Sequence, residues 1–196
     1  MRTPSPEYSP DDRGHLIRIA RDSLTTTVRT GTPLLPDAAD LGPGIAVVRA
    51  SFVTLRTDGE LRGCTGSLEA VAPLGIDVAR ATSHSALADP RFPPVTDDEL
   101  QGIRIEISVL SPLEPVPALD EQELLARLEP GVDGLVLALG HRRATFLPKV
   151  WEQLPDAAAF VRELRRKAGL PPAFWSSALE VYRYRTETFG EGAAIT

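Results

Sequence analysis

The stretch Ile103-Arg104-Ile105-Glu106-Ile107-Ser108-Val109 decides the fold class. A β-branched apolar residue fills every second position and a polar residue fills each one between, the period of a strand with one buried face. Upstream, Thr96 and Glu99 form a capping-box pattern that opens a short helix closed by Gly102. Before it, Leu74 to Ala88 reads as a helix with Pro73 at its first position, ended by Asp89-Pro90 because a residue preceding proline is pushed out of the helical region. Further upstream, Ala46 to Arg56 and Leu61 to Leu68 flank Thr57-Asp58-Gly59-Glu60, whose central Asp-Gly predicts a hairpin turn. A proline- and glycine-rich loop from Gly31 to Gly44 separates them from an amphipathic helix over Asp11 to Val28.

Downstream, Asp120 to Leu128 reads as a short helix. Leu135 to Leu139 and Arg143 to Phe146 form a second strand-turn-strand around Gly140-His141. Asp156 caps a helix whose Ala157, Phe160, Val161, Leu164 and Ala168 share one face, and Gly169 and Pro171 stop it. Arg162, Arg165 and Arg166 are expected on the opposite, solvated face, while Trp151 and Trp175 are expected to anchor packing. A final strand is expected over Ala178 to Thr188. Hairpins interleaved with helices, without repeating βαβ units, predict an α+β fold: a mainly antiparallel sheet flanked by helices, with a second, smaller lobe meeting it at a cleft.

The chain has 196 residues, 42% hydrophobic and 24% charged, which suits one domain spanning 11–191 between tails at 1–10 and 192–196. No run approaches the roughly 18 to 20 apolar residues of a membrane span. The polar, proline-bearing opening from Met1 to Gly14 lacks a secretory pattern, so cytoplasmic residence is expected. The net charge of -6 opposes nucleic-acid binding. The lone Cys64 cannot build a disulfide framework. With His15, His84 and His141 unclustered and no glycine-rich nucleotide motif, neither a metal nor a cofactor is expected.

Chemistry concentrates in Leu61-Arg62-Gly63-Cys64-Thr65-Gly66-Ser67-Leu68, a cysteine between two glycines within a strand pattern. Strand glycines mark a bulge or a place where a backbone or ligand comes close. Arg62 would favour the Cys64 thiolate, provided no bulge turns it off the cysteine's face. Cys64 therefore reads either as a reactive thiol or as a small buried hydrophobe. His84, on the next helix, is the best-placed partner for a cysteine-histidine dyad. In Asp89-Pro90-Arg91-Phe92-Pro93-Pro94, prolines stiffen a loop that either presents Arg91 to an anion or ties the loop down through an Asp89–Arg91 network.

These segments carry a resemblance. Leu61 to Gly66 is similar to the Leu-Arg-Gly-Cys-Ile-Gly hallmark of the AMMECR-domain family, also called AmmeMemoRadiSam system protein A. Asp89 to Pro94, Ile105 to Ser111, Phe146 to Val150 and Lys167 to Leu170 resemble further family segments in the same order. The resemblance, over Asp11 to Glu191, implies a two-lobed α+β fold with a cleft and a shared pathway with a Memo-like protein and a radical-SAM enzyme. Thr65 departs from the hallmark isoleucine and must satisfy a hydroxyl. Ser83, His84 and Ser85 stand where smaller apolar residues are expected.

The favoured expectation is an accessory or ligand-binding protein that uses Arg62, Gly63, Gly66, Asp89 and Arg91 around Cys64 to take a small anionic ligand or a partner. The rival is an enzyme with Cys64 as nucleophile, carrier or redox thiol, helped by Arg62 and His84. A third reading is structural, the glycines and Cys64 permitting tight packing at a crowded sheet junction.

Overall fold

The structure, a computed structural model, describes residues 8–192, so most of both expected tails lies outside the described residues. The chain divides into two compact units: one runs through Leu110 and resumes at Glu187, and the other is Ser111–Thr186. Among the described residues no helix is long and apolar enough to cross a membrane.

The first unit opens with α1 (Pro10–Thr30), which begins one residue earlier than the sequence pattern suggests. Ser9 caps it by accepting the Asp12 N–H at 3.1 Å, Pro10 occupies the first turn, and Gly31 ends it in the left-handed region that glycine adopts without penalty. β1 (Ser51–Thr57) and β2 (Glu60–Gly66) form the expected hairpin. Asp58 and Gly59 both take positive φ, as a tight two-residue hairpin turn requires. α2 (Leu74–Leu87) follows, with Pro73 one position outside the helix as its cap residue. The capping box at Thr96 and Glu99 is present but opens only a single 3-10 turn, Asp97–Glu99.

β3 (Ile103–Leu110) pairs antiparallel with β1, setting Ile107 opposite Val53 and Ile105 opposite Leu55. These four side chains are buried with Leu16, Ala20 and Leu24 of α1 and Leu74 and Val78 of α2 in one core. Each fully buried Ile or Leu contributes about 2 kcal/mol of transfer free energy. Thr54, Arg56, Arg104 and Glu106 occupy the alternate positions of the same ladders. Strand order is β2-β1-β3-β8, with β8 (Thr186–Gly190) completing the sheet and β2 at its edge.

The second unit carries a sheet of order β4-β7-β5-β6, built from β4 (Glu114–Pro115), β5 (Gly134–Leu139), β6 (Arg142–Phe146) and β7 (Glu180–Tyr184). Its neighbouring strands all pair antiparallel. The expected single last strand is thus two, β7 and β8, in different sheets. The segments bounding the unit are joined: the Ser111 N–H donates to the Arg185 carbonyl at 2.9 Å and the Arg185 N–H to Ser111 Oγ at 3.0 Å.

Two helices, α3 (Glu121–Arg127) and α4 (Ala157–Lys167), complete this unit. Phe160 of α4 stacks on Trp151 with ring centroids 3.8 Å apart and meets Phe146 edge-on at 5.3 Å. Arg165 corrects the expectation of a solvated face, for its side chain is only 1% exposed. It pairs with Glu121 at 3.1 Å, donates to the Pro172 carbonyl at 2.9 Å and lies over the Trp175 ring, whereas Arg162 and Arg166 are exposed. Trp175 in turn donates to the Leu119 carbonyl at 2.8 Å.

Because Phe160 joins both aromatic contacts at full burial, Phe160→Ala should lower the unfolding free energy by about 3 to 5 kcal/mol, as measured by urea denaturation.

Candidate functional site

The two glycines of the hallmark sit where backbones meet. A Cβ on Gly63 would stand 2.2 Å from the Ser85 carbonyl oxygen of α2, and one on Gly66 would stand 2.2 Å from the Ser51 carbonyl oxygen of β1. No side chain fits at either contact distance. α2 is thereby held against β2, and its Ser85 enters the sheet. Ser85 Oγ accepts the Thr65 N–H at 2.8 Å and donates to the Val53 carbonyl at 2.8 Å, so a hydroxyl bridges the two paired strands. Thr65 Oγ1 lies 3.1 Å from the Ala81 carbonyl and 3.0 Å from Ser85 Oγ. The departures at 65 and 85 therefore answer each other, each hydroxyl supplying a partner to the other.

A register shift separates Leu55↔Gly63 from Arg56↔Leu61, leaving Arg62 as the extra residue of a bulge. The bulge turns Arg62 to Glu99, which it grips through Nε at 2.7 Å and Nη2 at 3.0 Å, with Nη1 donating to the Pro93 carbonyl at 2.9 Å. Arg62 consequently ties the 93–99 segment to β2. The bidentate pair holds the Glu99 carboxyl at about 2, well below its ordinary value, with further help from the Thr96 N–H and hydroxyl. Glu99 is visible in the sequence only as half of a capping box.

The cation beside Cys64 is Arg91. Cys64 is half-buried, and its N–H donates to Asp89 Oδ2 at 2.8 Å while its carbonyl accepts from Arg91 Nη2 at 3.0 Å. Asp89 and Arg91 thus occupy the outward hydrogen-bonding groups that an edge strand otherwise leaves open. The Asp89 side chain is 3% exposed and takes Arg91 in a fork, through Nε at 2.9 Å and Nη2 at 2.6 Å, and also accepts the Arg91 N–H at 3.1 Å. This fork, with the Cys64 N–H, holds the Asp89 carboxyl far below the usual range despite its burial. Arg91 is held still more firmly protonated, by Asp89 first and to a smaller degree by Cys64. Its side chain nevertheless remains 53% exposed. Thr54, which sequence reasoning missed, donates its hydroxyl to Cys64 Sγ at 3.3 Å from the facing position of β1.

Cys64, Gly63, Gly66, Asp89 and Arg91 therefore converge on one edge of the first sheet, and Arg62 is drawn along that edge to Glu99. His84 does not join them: it is exposed on α2, and among the described residues no hydrogen bond links it to Cys64. Nor do the described residues contain any group of three His, Cys, Asp or Glu side chains placed to hold a metal ion.

A family model described as AMMECR1 matches residues 17–189, nearly the whole described chain. The chain belongs to the AMMECR1 family. Among its relatives, a protein of Methanothermobacter thermautotrophicus is 38% identical over 191 residues, covering 94% of this chain and 98% of its own. A protein of Thermococcus gammatolerans is 36% identical over 185 residues, covering 90% of this chain and 88% of its own. The AMMECR1 fold is shared with a crystal structure of the uncharacterized protein PH0010 from Pyrococcus horikoshii, at a TM-score of 0.88 and 31% identity over 95% of each chain. The segments that carried the resemblance in the sequence lie within the matched range.

Gly63→Ala should cost about 3 kcal/mol in urea denaturation, because backbone stands on the far side of the contact. Ser85→Ala should cost about 1 to 3 kcal/mol by unpairing the Thr65 N–H and the Val53 carbonyl. The Glu99 pairing fixes the sign of an acid effect. An unfolded Glu takes up its proton at about pH 4, whereas folded Glu99 resists to about 2, so its contribution to stability is complete above about pH 5 and is lost as pH falls toward 2. The melting temperature should therefore fall between about pH 5 and pH 3, and fall less steeply in Glu99→Gln.

Proposed function

We propose that this AMMECR1-family chain is an accessory protein that binds an anionic group, carried by a small ligand or a partner, at the surface around Cys64, and that it acts with Memo-like and radical-SAM proteins. The observation that supports this reading is the Asp89–Arg91 fork. A buried carboxylate fixes a guanidinium that is still half-exposed and adjacent to a half-buried thiol. A guanidinium fixed in this way loses little conformational freedom when an anion arrives, and its planar donors suit carboxylate or phosphate. The association with Memo-like and radical-SAM proteins rests on the resemblance that the sequence carries.

A second reading, catalysis or group carriage by Cys64, draws on Thr54 donating to the sulfur and on Arg91 as a nearby cation. What weakens it is the lack of a base. Asp89 is occupied by Arg91 and the Cys64 N–H, and His84 lies out of hydrogen-bonding contact, so among the described residues no neighbouring group is arranged to take the thiol proton.

One experiment separates them. Cys64 is alkylated in native and denatured chains with iodoacetate, an anion, and with iodoacetamide, its neutral counterpart. Under the binding reading the native protein favours iodoacetate several-fold over the denatured chain, Arg91→Gln abolishes that preference and Arg91→Lys retains part of it. Equal preference in native and denatured protein overturns it. Fast native reaction with both reagents, persisting well below the ordinary thiol range of about 8.5, would put the catalytic reading first.

A further inference from the structure

A second site lies in the first unit, built by residues that the Cys64 surface does not use. Arg21 and Arg29 of α1, Leu100 and Gln101 before β3, Arg104 of β3 and Glu191 after β8 line a cleft of about 370 Å³. Three of these are guanidinium groups and one is a carboxylate, an excess of positive charge inside a chain whose net charge is -6. From this convergence we propose that the cleft binds a small organic phosphate monoester.

The three arginines differ in how they are held, and the difference makes the site. Arg21 is fully committed. Its Nε meets Glu191 Oε1 at 2.9 Å, its Nη1 the Leu100 carbonyl at 3.0 Å and its Nη2 the Ile103 carbonyl at 2.8 Å, with a further ion pair from Nη2 to Glu191. Glu191 also accepts the Ile105 N–H at 3.0 Å, so its charge is matched where it stands and Arg21 forms a rigid floor. Among the described residues the Arg29 side chain is tied only to Asp97, through an ion pair exposed on both sides. Such a solvent-screened pair stabilises little and yields readily to a better anion. Arg104 is exposed, and its side chain has no hydrogen-bonding or ionic partner among the described residues.

The two loosely held cations offer planar donors that fit a phosphate dianion, and the Gln101 amide can add a neutral donor. A phosphate group alone leaves most of 370 Å³ unfilled, and the remaining volume, with Leu100 on its wall, suits a short organic substituent. A dianion would balance the net positive charge of the lining.

The test titrates the full chain with glycerol phosphate and with inorganic phosphate at fixed ionic strength, followed by calorimetry. Saturable binding of the ester at one site, at least as tight as that of inorganic phosphate, is expected. Arg104→Gln should weaken it by about tenfold or more, since a charge-assisted contact is lost while no internal hydrogen bond is disturbed. Arg162→Gln, on the exposed face of α4, should leave it unchanged. Absence of saturation, equal weakening by Arg162→Gln, indifference to Arg104→Gln or refusal of the ester would each overturn the proposal. Loss of binding in Arg91→Gln alone would move the anion to the Cys64 surface and overturn it equally. Melting curves without ligand, expected to be unchanged in Arg104→Gln, confirm that a loss of binding is not a loss of fold.

Discussion

The close approach of α2 to β2 at Gly63 is the constraint on which the Cys64 surface depends. Because no Cβ fits between the strand and the Ser85 carbonyl, the helix lies near enough for the Ser85 hydroxyl to enter the strand ladder. The end of α2 then delivers Asp89 to the edge of the sheet, where it meets the Cys64 N–H and orients Arg91. A glycine that looks like a permissive strand residue thus sets where the charge beside the thiol will be. The structural and functional readings of the hallmark are in this sense joined, since the packing that requires glycine is also what aligns the polar groups.

Much of this is legible in the amino-acid sequence. The alternation in Ile103–Val109, the Asp-Gly turn and the extent of α1 to within a few residues are set by local chemistry, namely side-chain alternation, positive φ and capping, and local chemistry is what a sequence displays. The Asp89-Pro90-Arg91 loop is readable as an Asp–Arg network for the same reason: the two residues are close in the chain and the proline between them limits where they can go. Even the direction of Arg62 reduces to one local alternative, the presence or absence of a bulge.

What the sequence does not display depends on partners far along the chain. The bulge at Arg62 answers to Glu99 and the Pro93 and Pro94 carbonyls, which no local pattern links to it. Arg165 lies one turn after Val161, on the flank of the apolar stripe, and its charge alone assigns it to solvent in the sequence, yet Glu121, the Pro172 carbonyl and the Trp175 ring cover it. Thr54 comes to Cys64 through strand register alone. The run from Ala178 to Thr188 looks continuous because alternation reports that a residue is in a strand and is silent about which sheet receives it.

The split of that run bears on how the chain orders itself. β3 and β8 share a sheet, yet residues 111–185 lie between them, so their meeting closes a long loop. While that segment is unfolded, the closure carries the full entropic penalty of its length. Once the segment has folded, the hydrogen bonds between Ser111 and Arg185 hold its two ends together and shorten the effective loop to a few residues, a saving of about 3 kcal/mol on a logarithmic length scale. The second unit thereby serves as an entropic clamp that makes the last strand of the first sheet a nearly local addition.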